Sequence, residues 1–298
     1  MDRRKFIKNS IAAGTILQLD VNPKLVGKLQ PIVLATNWGY KGGISEFCEA
    51  AKREGYDGIE LWWNADSGHQ KELFAALEKH DLQIGYLVAG SSPTFTEHFA
   101  EFKKNLGEAL SSTIKPLYIN CHSGKDYFEL DENGKLVEHT ISEAQRTGIE
   151  ITHETHRSRM CFAAPVTKKL LDKFDGMHLT LDISHWTNVH ESLLEDQQEN
   201  VRKALAHTRH VHLRIGHQEG PQVSDPRAPE WDKALQAHLK WWDEVVENRI
   251  SAGADRLTFL TEFGPPSYMP TIPYTRQPLA NQWEINVYMK NLIKKRYQ

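Results

Sequence analysis

From residue 31 onward, short apolar runs alternate with amphipathic segments, and this alternation constrains the fold more than any other feature. Eight runs are predicted as strands, at 31–38, 56–63, 82–90, 116–124, 149–156, 177–185, 210–215 and 256–264. The segments between them place apolar residues at helical spacing. In the first, Ile44, Phe47 and Cys48 share one face and Gly55 ends the helix. Strands and helices that alternate eight times predict a single parallel (β/α)8 TIM barrel.

The first 29 residues differ from the rest of the chain. Arg3 and Arg4 precede a lysine and a phenylalanine, and a mildly apolar run extends from Ile11 to Leu19. This pattern is typical of a twin-arginine export signal. We therefore expect an export leader at 1–29, a barrel at 30–298 and a periplasmic protein. The alternative is a basic amphipathic first helix on a cytoplasmic protein. No stretch approaches the ~18 uninterrupted apolar residues of a transmembrane helix, so stable membrane insertion is not expected.

The composition excludes several classes of function. A net charge of −3 gives no basic field for nucleic acid, so no nucleic-acid partner is expected. The three cysteines are scattered and odd in number, which implies neither a disulfide framework nor a cysteine zinc site. The chain also has 15 histidines. Any metal chemistry must therefore use His, Asp and Glu.

Polar residues follow the predicted strands at their C-terminal ends, where barrel enzymes carry their active sites. The candidates are Glu60 and Trp62 on the second strand, His122 on the fourth, Glu154 and His156 on the fifth, Asp182 and His185 on the sixth, His210, His212 and Arg214 on the seventh, and Glu262 on the eighth. Strand alternation places His212 and Arg214 on the face that points into the barrel mouth. Packing alone would not produce so many metal-ligand types at strand ends, so this polar cluster predicts a site.

The strongest candidates for metal ligands are Glu154, Asp182, His212 and Glu262. They come from four successive strands, so their side chains can converge on one point. Three carboxylates and one imidazole form a mostly oxygen site for one divalent ion. This donor set favours Mn²⁺, with Mg²⁺, Co²⁺ or Zn²⁺ as alternatives.

The motifs "GYDGIEL", "HETH", "LDISH", "HVHL" and "LTEFG" occur in this order at strand spacing. Together they resemble the xylose isomerase-like TIM barrel family, also called sugar phosphate isomerases/epimerases, over residues 30 to 297. The resemblance implies metal ligation by the four residues just named. It also implies substrate contact by His185 and, at less closely matching positions, by Glu60 and His122. One departure is that Arg214 lies only two residues beyond His212, and Gln218 stands where a sugar-contacting arginine is usual.

Other residues have a structural and a functional interpretation. His156 and Arg214 are expected to bind substrate. Trp62 and Trp63 point to opposite faces, so at most one of them can stack on a sugar ring, and Trp62 is our candidate. His210 is expected in the core, as are the packing residues Trp241 and Trp242. His98 and His238 are expected in solvent or in loops.

The leading functional hypothesis is a metal-dependent isomerase or epimerase of a small-molecule carbohydrate. Glu154 and Glu262 would be both ligands and catalytic bases, moving a proton next to a carbonyl through an enediolate. Because export implies a periplasmic substrate, an unphosphorylated sugar or sugar derivative is expected. The alternatives are a keto-sugar lyase or hydratase at the same site, a hydrolase like the DNA-repair endonucleases of this superfamily, and a sugar-binding protein without turnover. A homo-oligomer is compatible with the sequence.

Overall fold

Eight parallel strands close into a barrel in the computed structural model, which describes residues 25–298. The strands are β1 (Gln30–Thr36), β2 (Gly58–Trp62), β3 (Gln83–Ala89), β4 (Tyr118–His122), β5 (Glu150–Glu154), β6 (His178–Leu181), β7 (Thr208–His212) and β8 (Arg256–Thr261). Each strand pairs with its sequence neighbour, and β1 closes the ring against β8 with Leu34 opposite Leu260. The predicted (β/α)8 barrel is therefore confirmed.

Helices connect the strands and form the outer layer. In chain order they are α1 (Ile44–Arg53), α2 (Ser67–His80), α3 (Phe95–Leu110), α4 (Leu130–Thr147), α5 (Ala164–Lys173), α6 (Ser184–Val189), α7 (Gln198–His207), α8 (Asp232–Ser251) and α9 (Gln282–Tyr297). The prediction of a sixth strand over 177–185 was wrong at its end, because α6 begins at Ser184. The Ser184 hydroxyl and backbone N–H both donate to the Asp182 carboxylate, which turns the chain out of the strand.

The apolar core lies mainly between the barrel and its helices. Trp242 is fully buried on α8 and Trp241 nearly so, as expected of packing residues. Inside the barrel, Gly85 on β3 leaves room for the Tyr118 ring of β4. A β-carbon at Gly85 would lie 2.6 Å from that ring. The barrel centre is thus filled by large side chains, and the polar cluster lies among them.

The expectation that His98 and His238 are solvated was wrong, since both are fully buried. Each imidazole accepts a backbone N–H from a loop that follows a strand. The His98 Nε2 atom lies 3.1 Å from the Gly124 nitrogen, and the His238 Nε2 atom lies 3.2 Å from the Gly216 nitrogen. These helix histidines therefore fix two loops on the side of the barrel where the strands end.

At the start of the described chain, Leu25 and Leu29 pack into the core. The Gly27 N–H donates to the Tyr297 carbonyl at 3.0 Å, which joins this segment to the end of α9. The predicted export motif at Arg3 and Arg4 lies outside the described residues. Among residues 25–298, no helix combines the length and apolar character needed to cross a membrane.

Candidate functional site

Four predicted ligands converge at the C-terminal mouth of the barrel. One potential ligand atom from each of Glu154, Asp182, His212 and Glu262 lies within 4.8 Å of the other three. Glu154 and His212 are the last residues of β5 and β7, whereas Asp182 and Glu262 directly follow β6 and β8. All four side chains are buried. Parallel strands therefore bring residues separated by up to 108 positions, from 154 to 262, to one point.

The donor set fits a divalent cation. In the described structure the buried Glu154 Oε1 atom has no hydrogen-bond partner, and neither has the buried Glu60 Oε1 atom. Buried carboxylate oxygens are rarely left unpaired, because their desolvation is costly. An ion held by the four ligands would satisfy the free Glu154 oxygen. Three carboxylates with one imidazole suit Mn²⁺ or Mg²⁺.

Glu154 is held by two neighbours on β4. The His122 Nε2–H donates to Glu154 Oε2 at 2.5 Å, and the Asn120 amide donates to the same oxygen at 2.7 Å. Burial opposes ionisation of Glu154, but the positive potential of His122 and His212 outweighs it and holds the pKa well below its usual range. Glu154 is therefore an ionised and oriented carboxylate.

Glu262 and His212 form a second pair. The His212 Nδ1–H donates to Glu262 Oε2 at 2.8 Å. Burial alone would raise the pKa of Glu262, but His212 and Arg214 lower it to about 2. Burial would lower the pKa of His212, but Glu262 and Glu154 raise it to about 10. Without a bound cation His212 thus carries a proton, which metal ligation would displace.

Arg214 reaches into the carboxylate cluster. Its guanidinium pairs with the Asp182 carboxylate and lies 3.4 Å from Glu262 Oε2. Its Nε–H donates to the Ser184 hydroxyl at 3.1 Å. Burial raises the pKa of Asp182 to about 6, and the contact with Arg214 limits this rise, so Asp182 is still ionised at neutral pH. The arginine therefore provides a built-in positive charge at the predicted metal ligands.

His156 and His185 pack beside this cluster with ring centroids 4.0 Å apart. The Arg214 guanidinium also donates to His185 Nε2 at 2.8 Å. Burial is the main reason that the pKa values of both imidazoles are lowered, to about 3 for His156 and well below the ordinary range for His185. His156 lines the open cavity, whereas His185 is fully buried behind it.

Below the ligands lies a second polar layer. The Tyr118 hydroxyl donates to Glu60 Oε2 at 2.7 Å, and the His210 Nε2 atom lies 3.4 Å from the same oxygen. The His210 Nδ1 atom is held by the Thr258 hydroxyl at 2.8 Å, and its ring stacks on Tyr118. His210 is thus a buried and bonded core residue, as expected, and Glu60 is oriented toward the cavity above it.

A cavity of about 480 Å³, here called the central cavity, opens above the cluster. Six predicted site residues line it, namely Glu60, Trp62, His122, His156, Arg214 and Glu262. Its volume lies within the range of about 300–1,000 Å³ that is usual for small-molecule sites. Trp62 is 51% exposed at its rim. The predicted residues therefore surround a space suited to a small molecule.

An aromatic wall of this cavity was not predicted from the sequence. Trp38 and Tyr268 meet edge to face with centroids 4.9 Å apart, and the Arg214 guanidinium lies 4.8 Å from the Tyr268 ring centre. Gly264 permits this wall, since a β-carbon there would lie 2.3 Å from the Trp38 ring. Both aromatics come from loops, whose position has no periodic signal. Asn120 was also missed, although it shares a strand face with His122 at a spacing of two.

Comparison with known proteins identifies the fold. The sequence matches no family model and no curated protein. Among solved structures, it resembles a D-tagatose 3-epimerase-like protein (TM-score 0.61, 13% identity, 89% of this chain and 96% of that one). It also resembles a 3-keto-D-glucoside 4-epimerase from E. coli (TM-score 0.57, 14% identity, 89% and 99%). A third is a xylose isomerase-like TIM barrel protein from Mycobacterium smegmatis in complex with magnesium (TM-score 0.56, 11% identity, 89% and 97%). An AP endonuclease and a probable dehydratase match similarly. At these identities the likeness shows a shared barrel, and the chemistry has to be argued from the site.

Proposed function

We propose that this protein is a metal-dependent carbohydrate isomerase or epimerase of the xylose isomerase-like group. The observation that carries the proposal is the convergence of Glu154, Asp182, His212 and Glu262 within 4.8 Å beneath an open cavity. Mn²⁺ is the preferred ion. A divalent ion bound by these residues would supply a Lewis acid that polarises a sugar carbonyl.

The protein's own residues are suited to moving a proton. Glu154 and Glu262 come from β5 and from just beyond β8, which lie three strands apart in the barrel ring, and the pKa values of both carboxyl groups are low. An ionised Glu154 can take a proton from the carbon next to a carbonyl, leaving an enediolate. Glu262 can return a proton from the other face after it has taken one up from water, and Glu154 then releases its proton to water. His122 fixes the orientation of Glu154 through their 2.5 Å contact. This arrangement explains two glutamates better than sugar binding without turnover does.

The compared structures support the reaction class at a coarse level. Two of them are an epimerase and an epimerase-like protein, and one holds magnesium. The same barrel also occurs in an endonuclease. That activity needs contacts to phosphates, and the net charge of −3 does not favour it. A lyase would use the same proton abstraction, so analysis of the product distinguishes it from an epimerase.

The experiment combines metal analysis with isotope exchange. Purified protein should hold about one divalent ion per chain. Incubation with a panel of free, oxidised and phosphorylated sugars in D₂O should place deuterium at one substrate carbon. Glu154→Gln and Glu262→Gln should lower turnover by about 10²–10⁴-fold. Glu150→Gln is the matched control, because Glu150 lies at the opposite end of β5 and pairs with His178.

The isotope result decides the mechanism. In a two-base reaction, one of the two glutamine variants should still exchange the substrate proton without completing the reaction. Turnover by the unaltered protein without any deuterium incorporation would contradict proton transfer and favour a hydride shift. A protein that binds no ion and converts no sugar would refute the proposal itself.

We further propose export to the periplasm through Arg3 and Arg4 and, in consequence, an unphosphorylated substrate. The support is the sequence motif. Cell fractionation should find the unaltered protein in the periplasm and the Arg3→Lys/Arg4→Lys variant in the cytoplasm. Cytoplasmic protein in both cases would refute export.

A further inference from the structure

A second recess adjoins the central cavity on the far side of Trp62. This recess, here called the outer cleft, has a volume of about 390 Å³ and is lined by residues that include Asn37, Trp62, Trp63, Asn64, His69 and Asn105. Asn37 and Trp62 line the central cavity as well. The two spaces therefore meet at one asparagine and one indole, and a ligand longer than a single ring could occupy both.

The outer cleft differs from the central cavity in its chemistry. Charged residues Glu60, Arg214 and Glu262 line the central cavity. Among the described residues that line the outer cleft, none is Asp, Glu, Lys or Arg. Its polar groups are three asparagine amides and one imidazole beside two indoles. Amides satisfy hydroxyl groups in both directions, and indoles cover apolar ring faces. This lining suits a neutral, hydroxylated ring.

The two tryptophans at the end of β2 give the outer cleft its shape. Trp63 is fixed, since its Nε1–H donates to Glu108 at 3.3 Å and its ring packs edge to face on Tyr86. Trp62 is 51% exposed, and the His122 ring stands perpendicular to it with the ring centroids 5.2 Å apart. Trp62 lines both recesses, and an indole can cover the apolar face of a sugar ring. Trp63 thus forms a rigid wall, and Trp62 is available to both spaces.

We infer that the outer cleft binds the second ring of a glycoside whose reacting sugar occupies the central cavity. The substrate is then a neutral disaccharide or a larger glycoside, with Trp62 contacting both units. This inference rests on the proposed carbohydrate function of the central cavity and specifies its substrate class.

Binding measurements can test this without turnover. Isothermal titration of the Mn²⁺-loaded protein should use a panel of free hexoses and pentoses and the disaccharides built from them. The best disaccharide is expected to bind at least about tenfold more tightly than its component monosaccharides. Ala65 lines the outer cleft and is exposed, so Ala65→Trp fills the cleft with little risk to folding. This variant should remove the preference for disaccharides.

The matched control is Ala75→Trp, which adds the same indole at an exposed position of α2 outside the cleft lining. It should keep the preference. Equal affinities for mono- and disaccharides, or a preference for disaccharides that persists in Ala65→Trp, would refute the role of the outer cleft without contradicting the proposed function. If no sugar of either class binds, both proposals fail.

Discussion

Replacing Arg214 by glutamine should destabilise the metal-free protein and tighten metal binding. The guanidinium is 1% exposed, pairs with Asp182 and lies 3.4 Å from Glu262 Oε2. At an effective dielectric constant of about 20, two unit charges at that distance interact by roughly 5 kcal/mol. Removing one partner of a buried ion pair costs about 3–5 kcal/mol. Without its guanidinium, the cluster keeps three carboxylates with less positive charge to balance them.

The consequence should be visible in melting temperatures. For a domain of this size each kcal/mol corresponds to roughly 2–4 °C, so Arg214→Gln should melt about 6–20 °C lower in EDTA. Mn²⁺ should recover much of this loss, because the ion supplies the missing positive charge. The affinity of Mn²⁺ for the variant should exceed its affinity for the unaltered protein by at least about tenfold, which corresponds to roughly 1.4 kcal/mol. Calorimetric melting and Mn²⁺ titration measure the two quantities.

Arg157→Gln provides the control. The Arg157 guanidinium lies 4.9 Å from the centre of the Tyr268 ring, the same ring that Arg214 contacts at 4.8 Å. It also lies 3.4 Å from His185 Nδ1 and makes no ion pair with a carboxylate of the described residues. Arg157→Gln should therefore change melting little and metal affinity not at all. Equal effects of the two substitutions, or weaker Mn²⁺ binding by Arg214→Gln, would refute the role of Arg214 as a counter-charge.

Two further predictions concern the ligands and a buried base. Asp182→Ala should lose the bound ion, whereas His185→Ala should keep it and bind sugar more weakly; metal analysis showing equal loss in both would contradict these roles. His238 is buried, and burial lowers its pKa from 6.5 to about 4. Since the unfolded chain binds the proton more readily between these values, stability should fall as the pH drops from about 6.5 to 4, by up to roughly 3 kcal/mol. In urea titrations over this pH range, His238→Gln should lose less of its free energy of unfolding than the unaltered protein. An equal dependence of that free energy on pH in both proteins would contradict the role given to His238.

The fold was predictable because the barrel has a strong periodic signal. Alternation of apolar runs with helical faces located all eight strands, and closure followed from their number. The boundary at Ser184 was not predictable in the same way. A hydroxyl that bonds the preceding Asp182 side chain ends β6, and such a local polar bond competes with strand propensity. The sequence "LDISH" alone reads as a continuous strand.

The ligand positions were predictable for a related reason. Strand ends share one rim in a parallel barrel, so residue type and strand position together indicated Glu154, Asp182, His212 and Glu262. Their mutual contacts did not follow from that rule. Arg214 could point outward to a substrate or inward to Asp182, where the structure places it. The direction depends on side-chain conformation and charge balance, which strand spacing does not predict. The burial of His98 and His238 was not predicted, because no sequence pattern indicates that a histidine on a helix bonds to the backbone of a distant loop.

Trp62 and Trp63 show how neighbouring residues of the same type can differ in what they contribute to the fold and to the site. Strand alternation sends one indole to each face of β2. On the helix side, Trp63 donates its N–H to a carboxylate and packs against an aromatic ring, which fixes it as a wall of the outer cleft. On the other side, Trp62 is left half exposed between the central cavity and the outer cleft. A glycoside that occupied both spaces would contact this indole from each of them. At the end of β2, strand alternation therefore fixes one indole against the helices and leaves its neighbour placed to contact the substrate.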